Sequence, residues 1–180
     1  SKYEGHIPCE LVFQALDALP EGFTCPADRT KPWGTNHAVM MGADVIKEPF
    51  AVINCDDFYG SDSYQVMGKF LSELPEGAKN TYAMVGFRVG NTLSESGTVS
   101  RGLCTANDQN QLTSVVERTK IQRMDGEVKY LDENEEWVAT PETTPASMNF
   151  WGFTPDYFAY SQEFFKSFLS DPKNMENLKS

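Results

Sequence analysis

The chain has 180 residues, of which 40% are hydrophobic and 12% aromatic, a composition that favours a packed globular domain. Its formal net charge of −11 argues against nucleic acid and anionic membrane surfaces as partners, because both attract basic proteins. A small anionic ligand is not excluded, since a few local cations, backbone N–H groups or a metal ion can hold one.

The cysteine pattern indicates the redox compartment. Cys9, Cys25, Cys55 and Cys104 form no CxxC pair, and the chain has only two histidines. Reduced thiols in the cytoplasm are therefore expected, rather than a zinc site or a disulfide framework. No apolar run approaches the length of a membrane span, and the first residues do not resemble a signal peptide. We therefore expect no membrane partner.

Two elements are predicted before residue 50. Residues 9–14 fit either a strand or a helix, and Val12 and Phe13 favour the strand. Gly34-Thr35-Asn36 marks the start of a helix, with Thr35 or Asn36 as its cap, and Pro49 ends it. The residues predicted to form the buried stripe of this helix are Ala38, Met41, Gly42 and Val45.

The alternation continues and predicts the fold class. The continuous apolar run at 50–53 is typical of a central parallel strand buried on both faces. Gly60, Ser61 and Asp62 lead into a second helix, which has Met67, Phe70, Leu71 and Leu74 on one face and ends at Pro75-Glu76-Gly77. A strand is expected over 82–89. Two βαβ units in this order predict an α/β fold, with a three-layer, mostly parallel Rossmann-like sheet and helices on both faces. If residues 9–14 are helical, one βαβ unit remains and the class is unchanged.

Beyond residue 91 consecutive strands are predicted, which add an antiparallel hairpin region to the sheet. Asp125-Gly126 is a hairpin signal, and the acidic run at 132–136 fits an exposed turn. Thr154-Pro155 fits the cap and the first position of a helix. The strands predicted in this half are 98–104, 112–117, 121–124, 127–131 and 148–153.

Asp56 and Asp57 stand where the apolar strand ends, which is where open α/β sheets bind ligands. Successive side chains of an extended segment point in opposite directions, so only one of the two is expected to face a cleft. A carboxylate there suits Mg²⁺, which binds one or two protein carboxylates together with phosphate oxygens and water. The alternative is a structural role in a cap or a turn.

The glycine turn before the first helix is a second candidate ligand site. Gly34 and Thr35 open that helix, and its N–H groups can receive a phosphate. Lys31 can add a positive charge. His37 lies in the first turn, where a single histidine is more often structural than catalytic.

Taken in order, Gly34-Thr35-Asn36-His37-Ala38-Val39 and Ala51-Val52-Ile53-Asn54-Cys55-Asp56-Asp57 resemble the middle of a nucleotidyltransferase of the sugar-1-phosphate nucleotidylyltransferase family, the nucleotide-sugar pyrophosphorylases. In that family such a helix start contacts the nucleotide, and the strand end supplies a metal-binding aspartate. The resemblance implies that Asp56 is catalytic and binds Mg²⁺. It also implies nucleotide contacts by Asp57 and by the residues of the helix start.

The second half of the chain carries weaker parts of the same resemblance. Gly97, in Ser96-Gly97-Thr98-Val99, resembles the family's glycine beside the sugar. Glu117 and Arg118 resemble its Glu-Lys pair, which contacts sugar and phosphate, and Asn149 resembles its sugar-contacting asparagine. Arginine in place of lysine keeps the charge but changes the donor geometry, and Lys120 is a nearby substitute.

The resemblance implies transfer of a nucleotidyl group from a nucleoside triphosphate to a sugar 1-phosphate or a similar phosphomonoester, with release of pyrophosphate. The family's triphosphate-binding loop would precede residue 1, and its second metal-binding aspartate would follow residue 180. The prediction is therefore one domain over residues 1–180, a central fragment truncated at both ends that need not be active by itself. Two alternatives are a domain that binds nucleotide or sugar without chemistry, and a glycosyltransferase that uses a nucleotide-sugar.

Overall fold

The computed structural model describes residues 8–177, and within them seven strands form one sheet. The strands are β1 (Phe50–Val52), β2 (Ala83–Arg88), β3 (Val99–Ala106), β4 (Leu112–Met124), β5 (Glu127–Leu131), β6 (Trp137–Thr140) and β7 (Pro145–Phe153). The helices are α1 (Thr35–Met40), α2 (Ser61–Ser72), α3 (Tyr157–Ser170) and α4 (Pro172–Glu176), with a 3₁₀ turn at Val89–Asn91.

The prediction of a mostly parallel, three-layer Rossmann-like sheet is wrong. The strands pair in the order β1-β7-β3-β4-β5-β6, with β2 also paired to β7. Strand β7 pairs antiparallel with both β2 and β3. The pairs β3 with β4, β4 with β5, and β5 with β6 are also antiparallel. The helices are few and short, and they do not form layers on both faces of a parallel sheet.

The connections between strands explain this outcome. A parallel neighbour needs a crossover of a dozen or more residues, whereas the connections from β3 to β7 are turns of at most five residues. Short turns of this kind join antiparallel strands. The hairpin predicted at Asp125-Gly126 is confirmed, and both residues have positive φ, 53° and 82°, as a type I′ turn requires.

Several predicted elements differ from those observed in the first third of the chain. Residues 9–14 form no strand, and Leu11 and Phe13 are 83% and 80% exposed. The helix that begins at Thr35 ends at Met40 and continues only as turns. The strand β1 lies at an end of the strand order and is partly exposed, so a central strand buried on both faces was the wrong prediction.

The described chain forms two compact units. The first comprises the described residues up to Phe50, Pro75–Thr81 and residues 153–177, and the second comprises Ala51–Leu74 and Tyr82–Gly152. The core of the first unit is formed by Trp33, Met40, Phe165 and Leu169. The stripe predicted for the helix at Thr35 is only partly confirmed: Gly42 is buried and Met41 packs against this core, whereas Ala38 and Val45 are exposed. The buried residues within the observed helix are His37 and Met40.

The second unit has two cores. One is formed by Val89, Ile121, Val128 and Ala146, and Leu103 and Tyr130 pack against it. The other is formed by Tyr59, Met67 and Phe150. The prediction that α2 turns Met67 inward is confirmed, since Met67 is its buried residue.

Candidate functional site

The second unit contains a cavity of about 300 Å³ that combines carboxylates, amides, hydroxyls and an indole. Three predicted site residues line it: Asp57, Glu117 and Asn149. They come from the segment after β1, from β4 and from β7, so the fold brings together residues that are far apart in sequence. The other lining residues that matter below are Asn54, Ser100, Arg101, Gly102, Val115, Ser147, Met148 and Trp151.

Gly102 lies at a close approach of three strands. Its Cα pairs with Glu117 of β4 and with Ser147 of β7. A Cβ at this position would lie 2.7 Å from Val115 Cγ1 and 3.6 Å from Glu117 Oε2, so a larger residue would displace Val115 and stand against the carboxylate. The Glu117 carboxylate makes no hydrogen bond or ion pair with any residue in the described range 8–177.

Asp57 is held in place by a hydrogen-bond network. Its Oδ2 accepts from Asn54 Nδ2 at 2.9 Å and lies 3.3 Å from the Tyr59 hydroxyl. The same hydroxyl accepts from the Asn54 N–H at 3.0 Å and lies 2.9 Å from the Met148 carbonyl. Its single proton serves one of these two acceptors at a time.

Tyr59 connects the segment that carries Asp56 and Asp57 to the core. Its side chain is 4% exposed, and its ring makes an edge contact with Phe150 at a centroid distance of 5.0 Å. Burial raises the pKa of the phenol, and the negative charge of Asp57 raises it further. The hydroxyl is therefore protonated near neutral pH and acts as a fixed donor that orients the turn.

Asp56 behaves differently from its neighbour. It lies in an exposed turn and does not line the cavity. Among the residues that the structure describes, no group of three or more His, Cys, Asp or Glu side chains could hold a metal ion. The Asp56 carboxylate is exposed and makes no hydrogen bond or ion pair within residues 8–177, so it fits Mg²⁺, which needs only one or two protein carboxylates.

Asn149 has a left-handed backbone conformation, which is uncommon for residues other than glycine. Its φ of 61° lies in the left-handed region, which asparagine tolerates better than most residues. Its N–H donates to Ser147 Oγ at 3.3 Å. Asn149 and Trp151 both line the cavity, so β7 supplies an amide and an aromatic wall.

Arg118 and Gly97 are not brought to this cavity. The Arg118 guanidinium lies 2.9 Å from Glu133 Oε1 and 4.5 Å from the centroid of the Tyr130 ring. Because strand residues alternate between faces, Glu117 faces the cavity and Arg118 faces the Tyr130 side. Gly97, with a φ of 121°, lines a separate cavity of about 340 Å³.

The predicted nucleotide contacts Lys31, Gly34, Thr35 and His37 lie in the first unit. Gly34 is the N-cap of α1 with a φ of 90°, and a Cβ there would meet no atom within 4 Å. Its carbonyl accepts from Gln14 Nε2 at 3.1 Å. Lys31 and Thr35 are exposed. The helix that Thr35 begins has only six residues, which limits the dipole that its N-terminus can offer.

His37 has a structural environment. It is 0% exposed, and its ring lies 4.9 Å from that of Phe165. Since a carbonyl only accepts, the contact of 2.8 Å with Ala18 O places the ring proton on Nε2. Nδ1 then accepts from Gln14 Nε2 at 3.0 Å. Both ring nitrogens are thus engaged within the chain.

Sequence reasoning missed Gly102, Tyr59 and Trp151. Gly102 sits inside β3 between Arg101 and Leu103, and an isolated glycine inside a strand signals a close approach of backbone or ligand. Tyr59 lies two residues after Asp57 and could have been considered as an anchor for the two aspartates. The sequence predicts that Trp151 lies in a strand but not that it lines a cavity, because the face on which it lies depends on a register that the sequence does not specify.

No protein-family model matches this chain, and the search of curated proteins returned no match. None of the helices in the described range is both long and apolar enough to cross a membrane.

Proposed function

We propose that this chain performs Mg²⁺-dependent nucleotidyl transfer from a nucleoside triphosphate to a sugar 1-phosphate or a similar phosphomonoester, with release of pyrophosphate. The observation that carries the proposal is the cavity that gathers Asp57, Glu117 and Asn149. These three residues were selected from the sequence for contacts with nucleotide or sugar. Their convergence on one cavity is a geometric fact that does not depend on the resemblance.

The chemistry of the cavity suits a sugar. Glu117 offers acceptor oxygens to sugar hydroxyls, and Asn149 offers both a donor and an acceptor. Trp151 provides an aromatic surface for the apolar face of a sugar ring. A site of a few convergent polar groups and an aromatic side chain is typical of small-molecule recognition.

The reaction needs no covalent nucleophile from the protein. A phosphate oxygen of the sugar 1-phosphate attacks the α-phosphorus of the triphosphate, a new P–O bond forms, and pyrophosphate leaves with the electrons of the bond that breaks. Catalysis then depends on positioning and on neutralising phosphate charge. Mg²⁺, when bound, supplies that neutralisation, and Asp56, aided by Asp57, is the proposed ligand. The cysteine pattern supports a cytoplasmic location, which is part of the same proposal.

Pyrophosphate release by the full-length protein tests the proposal. With Mg²⁺ and a panel of nucleoside triphosphates and sugar 1-phosphates, we expect Asp56→Asn to reduce turnover about a thousandfold or more, equivalent to ~4 kcal/mol. Asp108→Asn is the matched control, because Asp108 is exposed in the turn between β3 and β4 and lies away from the cavity. Turnover by Asp56→Asn close to that of the wild type contradicts the proposal.

An assay with a nucleotide-sugar and a binding measurement separate the two alternatives. Release of nucleoside diphosphate from a nucleotide-sugar, without pyrophosphate, identifies a glycosyltransferase. Binding of nucleotide or sugar phosphate with neither product identifies a binding domain without chemistry.

A further inference from the structure

We infer that the cavity lined by Asp57, Glu117 and Asn149 selects a neutral or amino sugar and rejects a sugar that carries a carboxylate. The inference rests on the proposed function and names the substrate class of the same site. It follows from the charges that face the cavity and from how each of them is engaged.

The cavity wall carries two carboxylates from different elements. The Oδ2 of Asp57 is held by Asn54 and approached by the Tyr59 hydroxyl, which fixes the position of the charge. Glu117 is exposed to solvent, and its carboxylate makes no hydrogen bond or ion pair within residues 8–177. A ligand that displaces water from Glu117 must therefore bring a donor of its own, because a desolvated carboxylate without one is costly.

The arginine in the wall, Arg101, is held against the backbone and pairs with neither carboxylate, and its buried Nε has no hydrogen-bond partner within the described residues. Nη1 of Arg101 donates to the Ser100 carbonyl at 2.7 Å, and Nη2 donates to the Thr92 carbonyl at 2.8 Å. Residues alternate along β3, so Arg101 shares a face with Leu103, which packs on the core of Ile121. Gly102, the Cα partner of Glu117, points to the opposite face.

The next cation along β4 is also directed elsewhere. Arg118 is paired with Glu133 at 2.9 Å and packs over Tyr130. The side chains of Glu117 and Arg118 therefore lie on opposite faces of the strand. Asp57 and Glu117 thus line the cavity without an ion-pair partner among the described residues, and Arg101 is the cation in the same lining.

The remaining wall suits a polyhydroxylated ring. Sugar hydroxyls can donate to Glu117 and accept from the Asn149 amide, and Trp151 can pack against the ring carbons. A protonated amino group adds an attractive charge. A sugar carboxylate brings no donor and places a like charge beside Glu117, which is a repulsive element of the kind that creates specificity.

Calorimetric titration with three sugar phosphates tests this inference without any turnover. Glucosamine 1-phosphate, glucose 1-phosphate and glucuronic acid 1-phosphate share the phosphate and differ in the charge of the sugar. We expect glucuronic acid 1-phosphate to bind at least about tenfold more weakly than glucose 1-phosphate, and glucosamine 1-phosphate to bind no more weakly than glucose 1-phosphate.

The variant Glu117→Gln removes the charge and keeps the shape. We expect it to reduce the discrimination against glucuronic acid 1-phosphate to about threefold or less, while Asp108→Asn, which removes one charge from an exposed turn, leaves it unchanged. Circular dichroism shows whether each variant is folded. The order of affinities in the wild type needs no variant.

The outcomes distinguish this inference from the proposed function. Equal or tighter binding of glucuronic acid 1-phosphate overturns the inference, even when pyrophosphate is released. The predicted order of affinities without pyrophosphate release supports the inference and contradicts the proposed function. Binding of none of the three sugar phosphates overturns both.

Discussion

Replacing Gly102 with alanine tests the geometry of the cavity floor. The added Cβ would lie 2.7 Å from Val115 Cγ1, about 1 Å closer than the separation that two carbon atoms prefer. Val115 has a stiff χ1, so relief requires a new rotamer or a shift of the strand. Its side chain is 44% exposed, which leaves room to move. The cost therefore falls at the low end of the range for overpacking, about 1–2 kcal/mol.

Part of that cost is offset, because alanine loses less conformational entropy on folding than glycine, a gain of about 0.5–1 kcal/mol. We expect Gly102→Ala to lower the free energy of unfolding by about 1 kcal/mol net. Gly68→Ala is the matched control, since Gly68 lies inside α2 with no atom within 4 Å of its Cβ position. That variant is expected to raise the free energy of unfolding by about 0.5–1 kcal/mol.

Urea denaturation followed by circular dichroism measures both values. The double variant Gly102→Ala/Val115→Ala isolates the contact, and a favourable coupling of about 1 kcal/mol is expected because the small side chain removes the clash. An unfolding free energy of Gly102→Ala equal to or above that of the wild type, with Val115 present, refutes the close approach of β3 and β4 described above.

Two further stability predictions follow from the hydrogen bonds of buried side chains. Tyr59→Phe leaves the Asn54 N–H without its acceptor and should lower the free energy of unfolding by about 1–2 kcal/mol. The control is Tyr64→Phe, which should change that free energy little because the Tyr64 hydroxyl makes no hydrogen bond within residues 8–177. Equal effects of the two variants contradict the anchoring role of Tyr59. His37→Ala should lower the free energy of unfolding by about 3 kcal/mol or more, because a fully buried ring and two hydrogen bonds are lost. Thr35→Ala, at an exposed residue nearby, is the control. A His37→Ala protein as stable as the wild type shows that the ring is not structural.

Local signals in the sequence predicted elements better than they predicted the sheet. The hairpin at Asp125-Gly126 and the inward face of α2 at Met67 depend on a turn type and on helical spacing, which are local properties. The direction of strand pairing is a tertiary property. The alternation of strands and helices before residue 89 suggested parallel pairs, whereas β2 is antiparallel to β7, a strand far along the chain.

The sequence likewise predicted some residues of the candidate site and not others. Asp57, Glu117 and Asn149 were selected from the sequence, and they line one cavity. Arg118 does not join Glu117 there, because adjacent strand residues face opposite sides. The resemblance implied a nucleotide contact for His37, whereas its place in a first turn favoured a structural role, and only the packed structure reveals its bonds to Gln14 and Ala18. Gly102 becomes significant only when β3, β4 and β7 are seen side by side.

Chemical-shift mapping of a sugar 1-phosphate on the ¹⁵N-labelled protein tests the central claim most directly, and a chain of 20.2 kDa is well suited to it. We predict that glucose 1-phosphate shifts the backbone amides of Gly102, Glu117 and Asn149, which line the cavity. Gly90 and Gly97, which line the separate cavity, should stay unchanged. Shifts confined to Gly90 and Gly97, or no shifts at millimolar ligand, contradict the assignment of the sugar site.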